Sequence, residues 1–158
     1  MKTSEINTTA RPVSPPIEGR KGGVSYFSIS ELCASATALR EGIDNRPPES
    51  AFHLLHVLVR QLLDPIRKAW GAPIKVTSGY RCPRLNELVG GVTHSHHLLG
   101  CAADIICGST ADNNRLFDLI RQMHAEGKIR FTQLIREGGG RWLHLSYVPS
   151  DLKCQVIP

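Results

Sequence analysis

The sequence predicts an α+β fold in which N-terminal helices pack on a small, mainly antiparallel sheet. Apolar residues recur at three- and four-residue intervals between Phe52 and Trp70, as on one face of a helix. Beyond residue 73 the pattern changes to short alternating or continuous apolar runs, which are typical of strands. Because helical patterns come first and strand patterns follow, the elements segregate along the chain.

The N-terminal part of the chain predicts two helices. Ser28 and Glu31 have the spacing of a capping box, so a helix is expected over 29–40. The apolar periodicity predicts a second, amphipathic helix over 52–70. Pro65 lacks an amide hydrogen, and we therefore expect a kink near it.

The remainder of the chain predicts two more helices and four strands. A short helix begins at Pro83 and stops at Gly90, and a longer one covers 112–126. The strands are expected at 74–77, 102–107, 131–136 and 141–148. Three glycines at 138–140 predict a turn between the last two strands.

Length and composition fit one domain at 26–158, preceded by a flexible tail at 1–25 that is rich in proline and glycine. With 41% hydrophobic and 21% charged residues, the chain has no apolar run near the roughly 20 residues that a membrane span needs. We therefore expect no membrane insertion. The polar N-terminus shows no export signal, so synthesis in the cytoplasm is expected. We also expect a monomer.

The charge and the cysteine content do not indicate a nucleic-acid-binding surface, a disulfide framework or a thiolate zinc site. The net charge of +5 suits a polyanion, but Lys and Arg are scattered and lack the interleaved aromatics of nucleic-acid binders. A basic nucleic-acid binder stays an alternative without a recognised motif. The five cysteines form no C-x-x-C pair and are expected to be reduced: Cys33, Cys82, Cys101, Cys107 and Cys154.

The segment 95–104 holds the first candidate functional residues. His97 and Asp104 lie seven positions apart, and Gly100 permits a turn that brings them together. Asp104 has apolar neighbours on both sides, where an unpaired charge would cost several kcal/mol. It therefore requires a bound cation or a cationic partner such as Arg81.

A further histidine follows on a predicted strand. Alternation places Trp142, His144 and Ser146 on one face of that strand. Two imidazoles and one carboxylate are a common set of ligands for catalytic zinc. Taken singly, His144 also fits a hydrogen-bonded core residue, and His96 and His97 fit surface loop residues.

The ordered motifs of this chain resemble those of the M15 peptidases, which include D-Ala-D-Ala carboxypeptidases and dipeptidases and many phage lysins. The resemblance extends over about 27–147 and rests on Ser78-Gly79-Tyr80-Arg81, Asn86, Gly90-Gly91, Ser95-x-His97-x-x-Gly100-x-Ala102-x-Asp104 and Trp142-x-His144. It implies a zinc cofactor held by His97, Asp104 and His144.

The resemblance also implies residues that contact the substrate. Arg81 corresponds to the family's substrate-binding arginine, and a guanidinium suits a carboxylate or a peptide carbonyl. Ser95 corresponds to a nearby polar contact, and we expect Trp142 and Ser146 to line the pocket. The alternatives are a structural partner of Asp104 or of the C-terminal region for Arg81, and core packing for Trp142.

The general base departs from the family pattern. Several M15 members carry an acid or a histidine three residues before the last zinc ligand, where this chain has Arg141, which cannot act as a base. Glu137 is the nearest acidic candidate, and its alternative is a solvated residue beside the glycine turn. His96 is a second candidate for acid or base catalysis.

These residues and the resemblance together imply a zinc peptidase acting on the peptidoglycan stem peptide. It would be a D-Ala-D-Ala carboxypeptidase or an endolysin-like endopeptidase. By resemblance, the chain looks like a phage or prophage lysin that reaches the cell wall after release by a holin-like membrane protein, and a bacterial origin is the alternative. The alternative is a non-catalytic, zinc-stabilised module that binds a peptide or the wall, because the fold also resembles the hedgehog signalling domain.

Overall fold

The computed structural model describes residues 25–158, and apart from Ser25 the predicted tail lies outside them. The fold is α+β, with helices and a five-stranded, mainly antiparallel sheet, so the predicted class is confirmed. Within residues 25–158, no helix combines the length and the apolar character that crossing a membrane requires.

The first helical region differs from its prediction. The single helix expected at 29–40 is wrong, because the chain forms α1 (Ile29–Cys33) and α2 (Ala36–Arg40) instead. Between them Ala34 is extended, and the hydroxyl of Ser35 accepts a hydrogen bond from the α2 backbone. Serine competes well for such a bond and starts a new helix.

The second helical region is longer than the first and contains Pro65. It consists of α3 (Glu49–Leu58), a π-helical turn (Val59–Leu63) and α4 (Asp64–Trp70). Pro65 cannot donate to the preceding turn, and its ring crowds the carbonyl there. The wider π turn directly before it accommodates both effects, and the kink expected near Pro65 stays a prediction.

The remaining elements form the sheet and its covering. They are β1 (Lys75–Ser78), α5 (Pro83–Leu88), a 3-10 turn (His96–Leu99), β2 (Ala102–Ile106), α6 (Thr110–Ala125), β3 (Gln133–Glu137), β4 (Trp142–Ser146) and β5 (Gln155–Ile157). The strand order is β1-β2-β4-β3-β5, with β3 and β5 parallel and every other pair antiparallel. The sequence pattern missed β5, because an exposed strand of three residues shows little alternation.

One face of the sheet belongs to the hydrophobic core. Leu134, Leu143 and Leu145 alternate with outward residues along β3 and β4, and all three are fully buried. Helix α6 packs against the same two strands and contributes Phe117 and Ile120 to the core. Full burial of each such side chain stabilises the fold by about 1.5–3 kcal/mol. The opposite face of the sheet is therefore available for polar side chains.

The segment before β5 has an unusual backbone. Cys154 has a φ of 52°, and it is the one non-glycine residue with positive φ within residues 25–158. Its amide donates to the Phe131 carbonyl at 2.9 Å, and the next amide, of Gln155, donates to Thr132 at 3.0 Å. A left-handed residue costs about 1–2 kcal/mol, so these bonds must hold it in place.

We predict opposite responses at two neighbouring positions. At Cys154, glycine should give a more stable protein than valine by about 1 kcal/mol or more, because valine disfavours positive φ. At Gln155, which is in an extended strand, the valine variant should be more stable than the glycine variant by about 0.5–1 kcal/mol. Urea unfolding of the four variants measures the free energies, and the same order at both positions would contradict the left-handed geometry.

Candidate metal centre

A row of paired residues crosses the polar face of the sheet. Ser78 pairs with Asp104, Asp104 with His144, and His144 with Ile135, on four adjacent strands. Directly paired residues share a face, so the Asp104 and His144 side chains lie next to each other. These two residues come from central strands and are held rigidly.

His97 reaches the same point from the 3-10 turn. Gly100 ends this turn with a φ of 74°, as a left-handed residue that reverses the chain into β2. A Cβ at this glycine would also overlap the Ala51 carbonyl of α3. Glycine is therefore needed for both the conformation and the close approach. The turn predicted at Gly100 is confirmed.

The three side chains converge through one donor atom each. His144 Nδ1 lies 3.0 Å from Asp104 Oδ1, and His97 Nε2 lies 3.3 Å from the same oxygen. The two histidine nitrogens are 3.3 Å apart. Within residues 25–158, these three form the one cluster of histidine, cysteine and carboxylate groups that could hold a metal ion. The structure thus brings together all three residues predicted as ligands.

The protonation of His97 follows from its second nitrogen. His97 Nδ1 lies 2.6 Å from the Gly79 carbonyl oxygen, and since a carbonyl only accepts, Nδ1 carries the hydrogen. In the neutral ring, Nε2 then presents a lone pair to the carboxylate oxygen of Asp104. Two acceptors at 3.3 Å repel unless a proton or a cation lies between them.

The donor set fits zinc. Two imidazole nitrogens and one carboxylate oxygen are ligands that zinc accepts, at about 2.0–2.2 Å in tetrahedral geometry. Donors at those lengths lie about 3.3–3.6 Å apart, close to the spacings observed here. The bond from His97 Nδ1 to a backbone carbonyl is also the usual outer contact of a metal-binding histidine.

The charge of Asp104 is favoured in this setting. Burial raises the pKa of its carboxyl group, but a hydrogen bond from the ring of His144 and, when a proton lies on Nε2, one from the ring of His97 outweigh burial and hold the pKa well below its ordinary value. The group is therefore a carboxylate at neutral pH. A buried anion between two imidazoles is suited to receive a cation.

Arg81 is the cation that the structure places nearest to this cluster. Its Nη2 lies 3.9 Å from Asp104 Oδ2, and burial lowers the pKa of the guanidinium. Within residues 25–158 its buried Nε has no hydrogen-bond partner. Arg81 also lines the cleft, so it is close enough to affect Asp104 and is placed to meet a ligand, which is compatible with both interpretations that the sequence left open.

Asn45 orders the segment that carries Arg81, and the sequence pattern missed it. Its Nδ2 donates to the carbonyls of Cys33 at 2.9 Å and Tyr80 at 3.0 Å, while its Oδ1 accepts the Cys82 amide at 2.8 Å. These bonds fix the backbone on both sides of Arg81. A single asparagine in a loop gives no local signal of such a role.

The three clustered side chains, His97, Asp104 and His144, line a cleft of about 920 Å³. The residues predicted for catalysis or substrate binding that line it are Arg81, Ser95, His96, Glu137 and Trp142. Ser146 lies on the same face, but its side chain is completely buried and is not part of the cleft wall. The cleft as it stands therefore offers a ligand no contact with Ser146.

The two candidates for acid or base catalysis occupy different walls. Glu137 pairs with Trp142 across the β3–β4 hairpin, next to the row that carries His144, and it is partly buried. Burial, followed by the nearby charges of His144 and Lys153, lowers the pKa of His96. The neutral ring of His96 is therefore favoured. Arg141 is exposed, and its Nε donates to Gly138 at 3.1 Å.

The fold and the site define an α+β domain with a candidate His-Asp-His metal centre in an open cleft. Residues 25–145, which are more than half of the chain, match the peptidase M15 family, and the chain belongs to that family. The predicted resemblance is confirmed. M15 peptidases are zinc enzymes, so membership supports a peptidase with a metal centre of this kind. Among curated proteins none matches this chain.

We predict that Gly79→Ala destabilises the protein, because its Cβ would overlap the Leu32 backbone, which also accepts the Tyr80 amide at 2.7 Å. Neither backbone can yield easily, so a loss of about 2–3 kcal/mol is expected. Gly42→Ala is the control: that glycine has open space, and only its φ of 63° is unfavourable, costing about 1 kcal/mol. Equal losses in urea unfolding would contradict the close contact.

Proposed function

We propose that this protein is a zinc-dependent peptidase that hydrolyses a peptide bond in the peptidoglycan stem peptide. The observation that carries the proposal is the convergence of His97, Asp104 and His144 in a cleft of a chain from a peptidase family. The substrate class rests on the resemblance of the motifs to D-Ala-D-Ala carboxypeptidases and phage lysins. Both terminal trimming and internal cleavage are compatible with an open cleft.

The three ligands would hold the zinc ion through His97 Nε2, His144 Nδ1 and a carboxylate oxygen of Asp104. The chemistry that zinc supplies when bound is Lewis acidity toward a carbonyl oxygen and activation of water near neutral pH. The protein keeps the ligand nitrogen of His97 unprotonated through the Gly79 carbonyl. It also holds Asp104 charged, as its lowered pKa indicates.

The remaining groups would bind the peptide and move protons. Arg81 lines the cleft, and its Nη2 makes only a long contact of 3.9 Å with Asp104, so the guanidinium is placed to bind a carbonyl or carboxylate oxygen of the substrate. Glu137 lies on the cleft face two residues along β3 from Ile135, which pairs with His144. There its carboxylate would accept a proton from water and pass it to the leaving amine. Trp142 offers a flat apolar wall beside it.

A non-catalytic zinc module is the second candidate. The observation in its favour is Arg141, which stands where several family members carry an acid or a histidine. Its guanidinium lies over the Trp142 ring at 5.5 Å and is bonded within the turn, so it supplies no base. If Glu137 does not replace the missing base, the fold would bind zinc and peptide without hydrolysis.

We predict one zinc ion per chain and zinc-dependent release of peptides from purified sacculi. His97→Ala and His144→Ala should each lose most of the metal, because two ligands are too few to hold it. Metal analysis measures the content, and mass spectrometry of digested sacculi identifies the cleaved bond. A chelator should abolish release and lower the melting temperature, since metal bound only by the native state stabilises it.

Two results would contradict this prediction in different ways. Full zinc content in both histidine variants would reject the ligand set. Binding of zinc and sacculi by the wild-type protein without any released fragment would favour the non-catalytic module.

We predict that Glu137→Gln folds and keeps zinc but loses about a hundredfold or more in turnover, because an amide cannot accept the proton. Glu126→Gln is the matched control, since Glu126 is an acidic residue on the surface outside the cleft. Single-turnover hydrolysis of the identified stem peptide gives the rates. Near-normal turnover in Glu137→Gln, together with an inactive but zinc-loaded His96→Ala, would transfer the role to His96.

A further inference from the structure

The cleft has two chemically different ends. Glu137 and Gln133 both line it and lie four residues apart on β3, or about 13 Å at roughly 3.3 Å per residue. His144 pairs with Ile135, midway between them, so the metal cluster lies between the two ends. The Glu137 end carries an anion.

Lys153 lines the end of the cleft that is remote from Glu137. Strand β5 runs parallel to β3, with Gln155 paired with Gln133. Residues before Gln155 therefore extend past Gln133, away from Glu137. The cleft consequently has a cation at one end, an anion at the other and the metal cluster between them.

The backbone around Lys153 is tightly held. On one side Arg130 Nη2 donates to the Leu152 carbonyl at 3.0 Å, and on the other the Cys154 amide donates to Phe131 at 2.9 Å. Cys154 has the positive φ described above. Residues held in disfavoured backbone conformations cluster at functional sites. Here the constrained segment places a lysine on a cleft wall.

The charge of Lys153 is only loosely neutralised. Its Nζ lies 3.2 Å from Asp151 Oδ2, and both side chains are about half exposed, at 50% and 47%. An exposed ion pair of this kind contributes about 0–1 kcal/mol, so an incoming anion can replace Asp151 at small cost.

We propose that Lys153 determines specificity by binding a carboxylate of the peptide substrate on the Gln133 side of the metal cluster, in competition with Asp151. This inference rests on the proposed peptidase function. Glu137 repels an anion at the opposite end, so the two charges together set the direction in which an acidic peptide lies. Lys153 lies outside residues 25–145, so this determinant comes from a part of the chain beyond the family match.

The test uses a synthetic stem peptide and versions in which one carboxylate at a time is replaced by its carboxamide. For the wild-type enzyme, one of these amidations should raise KM about tenfold while kcat stays nearly constant. Lys153→Met should raise KM for the unmodified peptide by a similar factor. This variant should then show the same KM for the unmodified peptide and for the carboxamide version that the wild-type enzyme disfavours. Lys153→Arg should retain the discrimination, because it keeps the charge.

Asp151→Asn separates a substrate contact from a structural ion pair. If Asp151 competes with the substrate, its neutralisation should lower KM about threefold, opposite in direction to Lys153→Met. Lys128→Met is the matched control, since Lys128 also pairs with an acid two residues earlier, Glu126, but lies outside the cleft. Lys128→Met should leave KM unchanged for the unmodified peptide and for its carboxamide versions.

Distinct outcomes overturn the inference and its premise. A wild-type enzyme that cleaves the peptides without discriminating among them, or KM values that rise alike in Lys153→Met and Asp151→Asn, would reject the role of Lys153 and leave the peptidase function intact. Wild-type protein that holds zinc and cleaves none of the peptides would reject the proposed function and, with it, the inference.

Discussion

The hydrogen bond from His97 Nδ1 to the Gly79 carbonyl is the contact on which the site depends. It fixes both the orientation of the ring and the nitrogen that faces Asp104. Gly79 is itself packed against the Leu32 backbone of α1, which accepts the next amide in the chain at 2.7 Å. The N-terminal helices therefore do more than cover apolar surface: through this glycine they determine where one ligand of the candidate metal centre lies. A shift of α1 would be transmitted directly to the cluster.

Electrostatics makes the same cluster a favourable position for a cation. Asp104 is largely buried and charged, and the guanidinium of Arg81 approaches it only to 3.9 Å. Such an ion pair does not by itself offset the desolvation of a buried carboxylate. A metal shared with two imidazoles would do so more completely and would relieve the repulsion between His97 Nε2 and the carboxylate. Metal binding and folding stability are therefore expected to be coupled in this protein.

Much of this arrangement could be predicted from the sequence, because local patterns carry it. Gly100 marked the turn that returns His97 to Asp104, and strand alternation put His144 on the polar face. The single helix at 29–40 was wrong, since Ser35 offers a cap that competes with continuation. Asn45 and Lys153 could not be predicted, because their contacts join segments that are distant in sequence. Pairing of a three-residue edge strand likewise depends on tertiary contacts.

Under the role proposed for Lys153, specificity and chemistry would come from separate parts of this fold. The ligands sit on central strands and on a turn packed against α3, where most substitutions would disturb buried contacts. Lys153 precedes the edge strand β5, and its side chain is half exposed, so a change of this side chain costs little in stability. A charge presented from this edge still reaches the cleft, because the left-handed Cys154 and its backbone bonds fix the segment. With the role proposed for Lys153, substrate preference would vary at the edge while the candidate metal centre stays intact.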